Sequence, residues 1–120
     1  MTPSKIVEPT VIQARADEAA QLLKTLGNAQ RLRVLCLLLA GEMSVGQINE
    51  RLSDLSQSAL SQHLAKLREE GMVGTRREAQ TVWYSLLDGP AHEIIATLYD
   101  LYCAPARRTR GRSDRTVSQR

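Results

Sequence analysis

Two groups of residues in this 120-residue chain have chemistry to offer. The first is its pair of cysteines, Cys36 and Cys103. A thiolate attacks electrophilic sulfur, and paired thiols hold soft metals. The second is a run of small hydrogen-bonding side chains with no acid among them: Ser56, Gln57, Ser58, Ser61 and Gln62, followed by His63 and Lys66. Glutamine makes a two-bond pair with the edge of adenine, and serine serves either strand. Arg76 and Arg77 come shortly after, with the charge that phosphate or a minor groove attracts. Metal chemistry is poorly supplied, because His63 and His92 are the two histidines of the chain and a tetrahedral site needs several such ligands. Thiol-enzyme chemistry is disfavoured too, since no C-x-x-C occurs and neither cysteine has a histidine close by in sequence.

These residues need elements to hold them. Residues 1–10 contain Pro3 and Pro9 without periodicity and read as a flexible arm. A helical pattern runs from about Val11 to Leu26, and Gly27-Asn28 ends it. A second helix, about Ala29 to Leu39, has Leu32, Leu35, Cys36 and Leu39 at i, i+3, i+4 and i+7, one face of a helix. Ser44-Val45-Gly46-Gln47 has capping-box spacing and opens a short helix to about Leu52, with Val45, Ile48 and Leu52 inward. After a short turn, Ser56 caps a fourth helix, Gln57 to Glu70. Its apolar stripe is Ala59, Leu60, Leu64 and Leu67, and its other face carries the polar run. The period then switches to 2, predicting strands over Met72–Arg77 and Thr81–Leu87 with Glu78-Ala79-Gln80 as the turn. Gly89-Pro90 breaks the chain before a last helix, about Ala91 to Cys103.

Composition sets the bounds. The chain is 42% hydrophobic and 24% charged, which suits one soluble domain. The longest apolar run, Val34 to Ala40, is too short to span a membrane. No secretory signal is visible, so the expected location is cytoplasmic, where cysteines stay reduced. The net charge is +3, but it is unevenly placed. Six arginines against Asp114 give residues 107–120 a charge of +5, leaving −2 for the rest. Residues 105–120 therefore read as a disordered basic tail, which strengthens nucleic-acid binding or is merely solvated.

Helix, helix, short helix, turn, helix, hairpin, helix is the order of a winged helix-turn-helix. The expected fold is mainly α, with five helices and one β-hairpin wing, over residues 11–104. The fourth helix would enter the major groove of double-stranded DNA. An amphipathic helix with an ordinary polar face is the plainer alternative for this helix alone; the hairpin with its two arginines weighs toward DNA. For His63 the plainer alternative is a half-buried structural histidine. For Cys36 it is a small core residue, as free cysteines commonly are.

The stretches LLKTLGNAQRLRVLCLLLAGEMSVGQINERL and LSQSALSQHLAKLREEGMVGTRREAQTVWYSL resemble the ArsR/SmtB family of bacterial repressors. The likeness covers about residues 15–104 and centres on the recognition-helix pattern S-x-x-L-S-Q-H-L-x-x-L-R-x-x-G-M-V. It implies a homodimer through the first and last helices, bound to an imperfect palindrome. With it, the polar face of the fourth helix and the hairpin give Ser56, Gln57, Ser58, Ser61, Gln62, His63, Lys66, Arg76 and Arg77 as the expected DNA-facing set. The metal-sensing members have ligands this chain lacks: Met43, Ser44 and Val45 stand where one site has cysteines, and the last helix offers His92, Glu93 and Asp100 without a second histidine. Val34-Leu35-Cys36-Leu37-Leu38 and Leu101-Tyr102-Cys103 instead resemble the HlyU-like, dithiol branch. That likeness implies that reactive sulfur species bridge Cys36 to Cys103 and release the DNA, with no cofactor. A repressor answering arsenite or another effector, with structural cysteines, is the alternative. An interaction module that no longer binds DNA is a further one, which the polar face of the fourth helix disfavours.

Overall fold

Leucine dictates the centre of the molecule. Leu35, Leu60, Leu64, Leu67, Val34, Ile48 and Ile95 are all fully buried, and they come from four different helices. A computed structural model describes residues 8–103. The proposed tail and most of the proposed arm lie outside the described residues. The element order is α1 (Pro9–Leu26), α2 (Ala29–Leu38), β1 (Met43–Ser44), α3 (Val45–Arg51), α4 (Gln57–Glu69), β2 (Val73–Glu78), β3 (Thr81–Leu86) and α5 (Pro90–Tyr102). These are the five helices and hairpin of a winged helix-turn-helix.

Local chemistry explains most boundaries. Asn28 caps α2, its side chain accepting from the amides of Gln30 and Arg31 at 3.0 Å each. Ser44 and Gln47 form a full capping box on α3. Ser56 caps α4 by accepting from the amide of Ala59 at 3.0 Å. Gly71 turns the chain out of α4 at φ 75°, a conformation that suits a residue without a Cβ.

Four details depart from the sequence expectations. Helix α1 begins at Pro9 rather than Val11, because the fixed φ of proline suits a first helical turn. Helix α2 buries Val34, Leu35 and Leu38 most deeply, while Leu32, Cys36 and Leu39 are half-buried. Its buried arc is rotated because α2 packs against both α4 and α5. The hairpin turn is two residues, Ala79-Gln80, so Glu78 joins the ladder opposite Thr81. The sheet also has a third strand, in the order β1-β3-β2. Two residues of β1 pair with Trp83 and Tyr84, too short a segment to leave a period in the sequence.

Candidate DNA interface and dithiol

Helix α4 divides its residues cleanly. Leu60, Leu64 and Leu67 are each 0% exposed and anchor the helix. Gln57, Ser58, Ser61 and Gln62 lie exposed on the opposite side, over its first turns. No acid stands in the first turn, and Lys66 and Arg68 stand in the last. The N-terminal half is therefore a neutral, hydrogen-bonding surface beside the positive end of the helix dipole, which suits a groove walled by phosphates.

Three expected DNA-facing residues sit differently. His63 is half-buried, and burial followed by the nearby Arg31 cation lowers its pKa. It sits at the flank of the helix, as a packed histidine would. Lys66 is half-buried beside its own helix's acids, with Nζ 3.4 Å from Glu70 and 3.8 Å from Glu69. Ser56 is spent on its cap.

The two wing arginines have parted company. Successive strand residues point to opposite faces, and Arg76 pairs with Trp83 while Arg77 pairs with Val82. The Arg76 guanidinium lies 5.7 Å from the centre of the Trp83 ring. It reaches across the sheet to Glu42 just before β1, with Nε at 2.7 Å and Nη2 at 2.8 Å from the two carboxylate oxygens. Glu78 takes a third bond at 3.0 Å. These contacts hold the Glu42 carboxyl below its ordinary range. Arg76 thus braces the wing, spanning all three strands, whereas Arg77 is exposed near the tip without an ion pair among the described residues.

The thiols lie on packed elements. Helix α2 packs against α5, which places Cys36 within electrostatic reach of Cys103 although 66 residues intervene. Burial, and then the Cys103 charge, push the Cys36 thiol up. Both cysteines are free; Cys36 is half-buried and Cys103 exposed. Arg107 and Arg108, which follow Cys103 in the chain, lie outside the described residues. Among the described residues no three His, Cys, Asp or Glu side chains converge as a metal site would require.

The sequence reading missed two supports. One is Glu42 with Trp83, described above. The other is a bidentate bond from Arg33 on α2 to Asp54 in the turn before α4, with Nη1–Oδ2 and Nη2–Oδ1 both 2.8 Å. Neither leaves a periodic trace, because each joins residues far apart in the chain.

Comparison with known proteins agrees with this geometry. The profile of the bacterial regulatory protein, arsR family, matches residues 28–75, from the cap of α2 to the start of the wing. The chain is 50% identical over 92 residues to the transcriptional activator HlyU of Vibrio cholerae, covering 77% of this chain and 84% of that protein. It is 47% identical over 94 residues to the biofilm growth-associated repressor of Agrobacterium fabrum, covering 78% and 80%. The solved structure of reduced HlyU from Vibrio cholerae superposes with a TM-score of 0.73 at 49% identity, covering 78% of this chain and 97% of that one.

Proposed function

The chain belongs to the arsR family of bacterial regulatory proteins, and from this premise we propose a dimeric repressor whose grip on its operator is set by the thiol state of Cys36 and Cys103. It is a DNA-binding transcriptional regulator, as its relatives are named regulators and not enzymes. The dimer, the sensing chemistry and the individual DNA contacts are our reading.

Two copies would join through α1 and α5. Val11, Ile12, Leu23, Tyr99, Leu101 and Tyr102 leave a large share of their surface in water, up to 81% for Tyr102. Apolar exposure of this kind on both end helices suits an interface, and a two-fold one would set the two copies of α4 for matching half-sites of an imperfect palindrome. Gln57, Ser58, Ser61 and Gln62 would read base edges, and Arg77 would meet phosphate.

One observation carries the sensing claim: Cys36 and Cys103 are both free, one on α2 and the other at the end of α5, and those two helices pack against each other. The similar structure of HlyU from Vibrio cholerae is that of the reduced protein. The chemistry starts at the accessible Cys103. Its thiolate attacks the outer sulfur of an organic persulfide, taking that sulfur as Cys–S–SH and releasing the thiol RSH. The Cys36 thiolate then attacks the inner sulfur, and hydrogen sulfide leaves as the disulfide closes. If both cysteines are first persulfidated, their combination gives a trisulfide and the same leaving group. Either bridge ties α2 to α5 and resets the two recognition helices relative to each other.

Cys36→Ser and Cys103→Ser test the proposal separately. Both variants are expected to bind operator DNA as the wild type does when reduced. Both should lose the persulfide response, which a coupling of about 1–3 kcal/mol would make roughly 5- to 150-fold in the wild type. A response surviving in either variant, measured by fluorescence anisotropy at one salt concentration, refutes the bridge.

A further inference from the structure

Helix α2 carries two things one turn apart: the Cys36 thiol and the Arg33 guanidinium. Its inner side, Val34, Leu35 and Leu38, is at most 2% exposed, so a close-packed core obliges the helix to shift as a unit. Arg33 projects from it to Asp54, which lies in the turn between α3 and α4. The two bonds are parallel and both 2.8 Å long, a fork-on-carboxylate geometry that fixes orientation as well as distance. Gln30, one turn earlier on α2, also accepts from Arg33 Nη1 and holds the fork in place. The pairing depresses the Asp54 carboxyl to about 2.

The turn that receives this fork is itself taut. Asn49 of α3 donates to the carbonyl oxygens of Leu52 and Leu55, at 3.4 and 3.1 Å. Ser56, two residues beyond Asp54, caps the recognition helix. A displacement of Asp54 therefore reaches the start of α4 through two residues of constrained backbone. Other ion pairs, by contrast, lie within α1, within α4 or within the wing and its flank. The Arg33–Asp54 pair connects the helix that bears a thiol to the turn that aims the helix expected in the groove.

We propose that Arg33 is a positioning residue: its fork on Asp54 is the strut that carries a shift of α2, generated at Cys36, to the N-terminus of α4. This rests on the reading of Cys36 and Cys103 as the sensor. The competing route runs through the core, where α2 packs directly on α4. The two routes make different predictions. A strut confines the loss to the response, leaving the reduced state nearly unchanged. A core route leaves the response intact when the strut is cut.

The experiment uses the full-length protein and a fluorescent duplex selected from a random library on the reduced wild type. Affinity is measured reduced and after glutathione persulfide, with the bridge confirmed by mass. Arg33→Gln and Asp54→Asn are compared with the wild type and with the double exchange Arg33→Asp, Asp54→Arg. The strut predicts that each single variant binds within about threefold of wild type when reduced, but that its bridged-to-reduced ratio shrinks by about fivefold or more. The double exchange restores a substantial part of that ratio. Single variants that form the bridge and respond as fully as wild type overturn the strut alone. So does a double exchange that recovers nothing. A wild type that forms the bridge and binds equally in both states overturns the sensing reading, and the strut with it.

Discussion

The recognition helix and the two terminal helices spend their apolar residues in opposite ways. In α4, Leu60, Leu64 and Leu67 are wholly buried within one chain. In α1 and α5, Val11 and Leu23 are each 59% exposed and Leu101 is 62% exposed. The reading head is thus complete in a single copy, while the end helices keep apolar side chains exposed among the described residues. In the proposed dimer that division would let the part that reads DNA stay rigid while the part that sets the spacing between two readers adjusts.

The sharpest way to break this contrast is to damage each side and vary protein concentration. Leu64→Ala should cost about 2–5 kcal/mol through lost burial and a cavity, lowering the melting temperature at every concentration. Tyr102→Ala should weaken self-association by about 2 kcal/mol, roughly thirtyfold in Kd. Its thermal deficit should fade as concentration rises, because assembly stabilises by mass action. A Tyr102→Ala protein that sediments as the wild type does removes the end helices from the interface.

Within the reading head the contrast sharpens further. Gln62→Ala should cost about 1–3 kcal/mol on the selected site and little on random DNA; equal losses on both would mean that Gln62 reads no base. The smallest effect belongs to the wing. Arg77→Ala should reduce the slope of log affinity against log salt by about 1. Arg76→Ala should leave that slope nearly unchanged, since Arg76 is already committed to Glu42, Glu78 and Trp83.

Much of this was legible in the residues. The capping serines, the leucine spacing of α4 and the switch of period at Met72 are local signals, and the fold followed them. The polar run from Gln57 to Gln62 is exposed as its helical spacing requires. What stayed hidden was tertiary. The rotation of α2 toward Val34 and Leu38 depends on its being covered from two sides by α4 and α5. The difference between Arg76 and Arg77 depends on a glutamate 34 residues away in sequence. That Lys66 stands beside Glu69 and Glu70 was hidden because i, i+3 and i, i+4 acids are visible as spacing but not as occupied partners. The nearness of the two thiols came from a resemblance, since no periodicity brings position 36 to position 103.

The central claim is that thiol state sets operator affinity. Its most direct test is the Kd of the wild-type protein for its selected duplex at one fixed salt concentration, measured reduced, after organic persulfide, and again after dithiothreitol. We expect tight reduced binding, a loss of about 5- to 150-fold on treatment, and full recovery on reduction. Tight binding that ignores the treatment, with the Cys36–Cys103 bridge verified by mass, contradicts the account and makes both cysteines structural.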